Sequence, residues 1–141
     1  MLLGEYEYRI DQKGRVSIPS RLRKEFQDGL VLTRGLDRCI VVYPSSEWSQ
    51  ISGRLSSLPN NLEKNRRLNR FTFGSAFSAE LDAQGRVALH PSLMEHAGIE
   101  GAVTIVGCNS YLEIWSKELW DEEKRRMVEE APQLAERMET R

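Results

Sequence analysis

Asp11 and Arg15 stand four residues apart around Gly14, and Asp82 and Arg86 repeat the arrangement around Gly85. In full, Asp11-Gln12-Lys13-Gly14-Arg15-Val16 returns as Asp82-Ala83-Gln84-Gly85-Arg86-Val87. A carboxylate that opens a tight turn can accept hydrogen bonds from backbone N–H groups further along, and the glycine supplies a positive φ at little cost. The arginine that follows leaves a defined hairpin end, where its planar fork can meet phosphate oxygens or a guanine edge through two parallel hydrogen bonds. The same spacing also allows an Asp-Arg ion pair that only closes the turn, and such pairs are worth little when exposed. The motif alone leaves both roles open.

The elements that would position these residues repeat as well. The signature recurs at an offset of 71 residues, about half the chain, which points to an internal duplication. Upstream, Tyr6, Tyr8 and Ile10 match Phe77, Ala79 and Leu81; downstream, Ile18 matches Leu89 and Leu22 matches Leu93. One extra residue then shifts the offset to 72, and Gly29 meets Gly101, Gly35 meets Gly107, Tyr43 meets Trp115 and Trp48 meets Trp120. Two unrelated hairpin turns that both use Asp and Gly are the competing explanation, but they would not hold register over this length.

Each half reads as the same series of elements. A strand (residues 6–10; 77–81) leads into the glycine turn, and a second short strand follows (residues 15–18; 86–89). Pro19-Ser20 and Pro91-Ser92 place a proline and a hydroxyl at the start of a short helix. Residues 30–33 and 39–43, and in the second half 102–106 and 111–115, read as a further hairpin. A helix then starts near Ser45 or Ser116. The first of these is expected to break near Pro59-Asn60-Asn61 and to resume through Lys64, Arg66, Arg67 and Arg70.

With 141 residues, 20 Lys plus Arg and 21 Asp plus Glu, the chain fits one ordinary domain, and net charge neither proposes nor excludes a nucleic-acid partner. Its distribution says more. Between Arg9 and Lys24 lie six basic residues, Arg9, Lys13, Arg15, Arg21, Arg23 and Lys24, against Asp11 alone. The matching stretch of the second half carries Arg86 against Glu80, Asp82 and Glu95. Residues 117–141 hold six basic and eight acidic side chains.

Other chemistries find less support. One Asp per half is the arrangement of an aspartic protease, but neither Asp has the small hydroxyl neighbour those enzymes use, and an adjacent cation would keep Asp11 ionised. His90 and His96 lack an evident nucleophile or metal partner, and Cys39 and Cys108 show no zinc or redox spacing and read as buried reduced thiols. No enzyme activity, cofactor or metal site is therefore expected. No signal-peptide pattern and no membrane-spanning apolar stretch is visible, so a cytoplasmic protein is expected.

Two copies of Asp-x-x-x-Arg, each in a strand-turn-strand unit, together with Met1-Leu2-Leu3-Gly4-Glu5-Tyr6, resemble the bacterial MraZ proteins, which carry tandem SpoVT-AbrB domains. The resemblance covers nearly the whole chain. It implies a mainly β protein with short helices (α+β), built as a pseudo-twofold swapped-hairpin β-barrel in which two SpoVT-AbrB repeats interlace within one chain. The repeats would span residues 1–52 and 75–121, with a helical basic connector at 53–74 and a charged helical segment at 122–141. It further implies a nucleoid-associated, sequence-specific DNA-binding regulator of transcription at the promoter of the division and cell-wall operon. Such proteins assemble into ring-shaped homo-oligomers on double-stranded DNA with repeated promoter elements.

On these grounds Lys13, Arg15 and Arg86 are the expected DNA-binding residues, and Asp11, Gly14, Asp82 and Gly85 shape their turns. Arg21, Arg23 and Lys24 are candidate phosphate contacts of unknown orientation. The first copy, with its positive excess, is expected to carry the primary DNA surface. The alternative is a non-catalytic, homo-oligomeric protein-interaction scaffold, for which Leu119, Trp120, Met127 and Val128 would offer an apolar stripe.

Overall fold

The structure is a computed structural model that describes residues 1–138, so residues 139–141 of the expected C-terminal segment lie outside the described residues. In the first half, β1 (Glu5–Arg9) and β2 (Arg15–Ser17) flank the first glycine turn, a 3-10 helix follows at Ser20–Phe26, and β3 (Leu30–Arg34) and β4 (Ile40–Pro44) form a hairpin. Helices α1 (Ser45–Ser56) and α2 (Glu63–Phe73) complete this half. The second half repeats the order as β5 (Phe77–Ala79), β6 (Arg86–Ala88), α3 (Pro91–Ala97), β7 (Ala102–Gly107), β8 (Leu112–Ser116) and α4 (Lys117–Glu136). The repeat boundaries expected at residues 52 and 121 fall inside α1 and α4.

The fold is mostly antiparallel sheet with several short helices. Six strands lie in the order β1-β7-β8-β4-β3-β5, which reads the same from both ends once each strand is exchanged for its counterpart in the other half. The central pairing sets Val41 opposite Glu113, two equivalent positions, as a pseudo-twofold axis between β4 and β8 requires. Strand β1 pairs with β7 of the second half and β5 pairs with β3 of the first. Strands β2 and β6 form a separate ribbon centred on the Val16–Val87 pair. The expected closed barrel is not formed: β1 and β5 end the sheet unpaired with one another, and the ribbon does not join them.

Both halves contribute to one core. Val16, Ile18, Leu22, Phe26, Leu32 and Val42 pack in the same buried cluster as Val87, Leu89, Leu93, Ile105, Leu112 and Ile114. Each fully buried side chain of this kind contributes about 1.5–3 kcal/mol of transfer free energy, and a shared cluster offsets the small fraction of surface that a half of roughly 70 residues can bury by itself. A second cluster, Cys39, Val41, Trp115 and Trp120, receives Leu119 and Met127 from α4. The apolar stripe of that helix is therefore largely turned onto its own core, and only Val128 of the four is exposed.

Two local expectations change. Neither Ser20 nor Ser92 caps its helix: the first helix has no side-chain cap, and Nδ1 of His90 accepts from the Ser92 amide at 3.2 Å. The extra residue of the second half lies where α3 ends on Gly98 in the left-handed region, φ 64°, whereas Gln27 ends the 3-10 helix in the right-handed region. Cys39 is buried as expected, while Cys108 is half-buried.

Candidate nucleic-acid interface

The two turns are built alike. Oδ1 of Asp11 accepts from the amides of Lys13 at 2.8 Å and Arg15 at 2.9 Å, and Oδ1 of Asp82 accepts from Gln84 and Arg86, both at 2.9 Å. The backbone closes the same way in each, with Gly14 donating to the Asp11 carbonyl at 3.1 Å and Gly85 to the Asp82 carbonyl at 2.9 Å. Gly14 sits at φ 75° and Gly85 at φ 77°, a region where a side chain would be strained. The motif is thus an Asx-type turn that spends its carboxylate on its own backbone.

Each arginine lies back over its turn. Nε of Arg15 donates to Oδ2 of Asp11 at 2.8 Å, and Nε of Arg86 donates to Oδ2 of Asp82 at 2.9 Å. The ion pair is therefore real and engages Nε of side chains that are 28% exposed for Arg15 and 27% for Arg86; the terminal nitrogens of Arg15 make no further ion pair among the described residues, while Nη1 of Arg86 also approaches Oδ2 of Asp11 at 3.9 Å. Lys13 is exposed at the tip of the first turn; its counterpart Gln84 is exposed and uncharged.

Both carboxyl groups are held below the ordinary aspartate range, first by the backbone amide of the following arginine and then by that arginine's side chain. Neither is set up to share a proton with a partner carboxyl, the condition an aspartic protease depends on. Among the described residues no group of three or more His, Cys, Asp or Glu could hold a metal ion. Among the described residues no helix is long and apolar enough to cross a membrane.

The ribbon brings the two turns together. The Ile18 amide donates to the Gly85 carbonyl at 2.9 Å and the Leu89 amide donates to the Gly14 carbonyl at 2.8 Å, so each half's second strand ends against the other half's turn. The turns lie at the two ends of this ribbon, four residues or roughly 13 Å apart at the usual strand rise. The Arg23 side chain lies over Gly85, where it donates from Nε to the Ile18 carbonyl at 2.8 Å, and Lys24 lines the same groove. Sequence reasoning could nominate these two cations but could not place them, because their neighbours come from the other half. Arg66 and Arg67 of the basic connector spend contacts locally, on the Asn60 carbonyl at 3.1 Å and on Glu63 at 3.1 Å.

Fold and turns together define a tandem-repeat protein whose halves complete one another and carry one Asp-x-x-x-Arg turn each. Residues 1–71 and 72–141 each match the family model of the MraZ protein. The chain is 44% identical over 140 residues to the transcriptional regulator MraZ of Dehalococcoides mccartyi, covering 99% of both chains. It is 41% identical over 136 residues to that of Herpetosiphon aurantiacus, covering 96% of this chain and 95% of the relative. To that of Thermoanaerobacter pseudethanolicus it is 46% identical over 122 residues, covering 86% and 85%. The chain belongs to the MraZ family.

Proposed function

We propose that this protein is a DNA-binding regulator of transcription whose reading heads are the two turns, with Lys13, Arg15 and Arg86 as DNA contacts. The relatives' name, transcriptional regulator, supports the class. The observation that carries the mechanism is the pair of matched turns at the ends of one short ribbon, each holding a partly exposed arginine to its own carboxylate by Nε. The major groove admits a two-stranded ribbon, and an arginine fork suits both phosphate and guanine.

The interlaced pairings of β1 with β7, β5 with β3 and β2 with β6 are what a swapped-hairpin arrangement of two repeats, residues 1–52 and 75–121, would produce within one chain. In this reading the helical basic connector 53–74 and the charged C-terminal helical segment 122–141 lie outside the repeats. A ring of such chains at the repeated elements of the division and cell-wall promoter, on the nucleoid in the cytoplasm, would gain avidity from effective concentration, so a nearly neutral chain needs no large basic face.

The test is fluorescence anisotropy of a labelled duplex from that promoter, with scrambled DNA as control, across a salt series. Sequence-selective, salt-sensitive binding that weakens in Arg15→Ala and Arg86→Ala supports the reading. Binding that is absent, or indifferent to both changes in intact assemblies, removes it and favours the interaction scaffold.

A further inference from the structure

We propose that Arg23, a residue of the first repeat, is a phosphate-binding residue of the second turn, with Lys24 beside it. The proposal rests on the DNA-binding reading of the turns and says which cations serve which turn.

Gly85 is buried because Arg23 covers it, and a Cβ there would run into Nε, Cζ and Cδ of that side chain. Nε is anchored to the Ile18 carbonyl at 2.8 Å, and the Ile18 amide is itself bonded to the Gly85 carbonyl at 2.9 Å. The guanidinium is thereby fixed against the backbone of a turn 62 positions away in sequence. Its one hydrogen bond among the described residues uses Nε, which leaves both terminal nitrogens for a ligand. Lys24, exposed, lines the same groove of about 510 Å³ with Asp82 and Ala83. Glu80 and Asp82 also line it, but the Asp82 carboxylate is already engaged by Arg86 and by two amides.

The first turn shows the counterpart. Met94 occupies in the second repeat the position of Arg23, and its methyl group lies 3.7 Å from where a Cβ on Gly14 would be. Crossing of the halves therefore gives each turn the helix of the other repeat. The first turn keeps Lys13 and receives Met94; the second has Gln84 at the tip and receives Arg23 and Lys24. Charge counted along the chain assigns nearly all cations to the first repeat, whereas in space both turns have a cation besides their arginine.

The experiment is a double-mutant comparison on the full-length protein in its native assembly, by anisotropy of a fluorescein-labelled promoter duplex across a salt series. Arg23→Met is chosen because the other half already folds with methionine in that place. It should weaken binding several-fold and lower the logarithmic salt slope by about 1, the signature of one lost phosphate contact. The loss should be smaller in an Arg86→Ala background than in an Arg15→Ala background, since Arg86 belongs to the same turn as Arg23 whereas Arg15 reaches that turn only through the carboxylate it shares with Arg86. Met94→Arg should strengthen binding and steepen the slope, and this arm does not depend on how Arg23→Met folds. If Arg15→Ala and Arg86→Ala weaken binding while Arg23→Met and Met94→Arg leave affinity and slope unchanged, or if Arg23 couples to Arg15 instead of Arg86, the inference falls and the DNA-binding reading stands. If none of the four changes matters, both fall together.

Discussion

Nη1 of Arg86 lies 3.9 Å from Oδ2 of Asp11 while Nε of the same guanidinium donates to Oδ2 of Asp82 at 2.9 Å, so one arginine spans the turn-opening carboxylates of both halves. Arg15 pairs with Asp11 of its own turn at 2.8 Å. Asp11 thus faces two guanidinium groups and Asp82 one.

The first prediction concerns these carboxylates. Both have depressed pKa values, so their contribution is present above the unfolded aspartate value of about 3.9 and fades as pH falls through the lower folded value. Asp11→Asn should lower Tm at pH 7 by more than Asp82→Asn. Both differences from wild type should shrink as melting is followed from pH 5 down to pH 2; a gap that stays constant would show that charge is not involved.

Glu113 should behave in the opposite sense. It takes the place of Val41 at the pseudo-axis, and burial pushes its carboxyl up, against the hydrogen bond it accepts from Nε1 of Trp115 at 3.0 Å. A raised folded value means that stability is highest below the unfolded glutamate pKa and is lost as pH rises through the folded one. Glu113→Gln, which retains an acceptor, should raise Tm at pH 7–8 and lose that advantage near pH 4. Equal melting of the two proteins at pH 8 would contradict this.

The glycines of the turns should not be equivalent. Alanine in the left-handed region costs roughly 1–2 kcal/mol. Gly14→Ala should cost about this much, since its nearest neighbours are 3.7 Å away, whereas Gly85→Ala must also displace Arg23. Urea melts should show the larger loss for Gly85→Ala, and adding Arg23→Met should remove most of the excess.

A shared core predicts shared unfolding. Phe26 is 1% exposed, and Phe26→Ala should cost about 3–5 kcal/mol. Tryptophan fluorescence, which reports Trp48 in one half and Trp115 and Trp120 in the other, should follow far-UV circular dichroism in a single transition before and after the change. Residues 1–71 expressed alone lack the β7 partner of β1 and should be unfolded or self-associated; a stable monomer in light scattering would refute the shared core.

Much of the architecture was legible because the information was local. Alternating apolar residues marked the strands to within a residue or two, and the helix break before α2 falls where Pro59 stands. Pairing partners were not legible from the residues themselves: nothing in residues 5–9 distinguishes β7 from β2 as a neighbour, and only the family resemblance suggested interlacing. The open sheet escaped even that. The turn motif was readable, since Asp11 and Gly14 act within five residues. The position of Arg23 over Gly85 was not, because it depends on the crossing of the halves, and charge summed along the chain left its orientation open. Glu113 did leave a signal, a carboxylate within an apolar strand, but its depth depends on the helices that cover β8.

The palindromic strand order has one more consequence. A unit that must borrow strands from a second copy would ordinarily fold only at concentrations high enough for the copies to meet. Joining them in tandem makes that encounter intramolecular, so assembly of the sheet no longer depends on dilution. It also guarantees that every first copy meets a second one. Paired positions can then carry unlike residues, Val41 facing Glu113 and Lys13 matched by Gln84, without any self-pairing having to tolerate them twice.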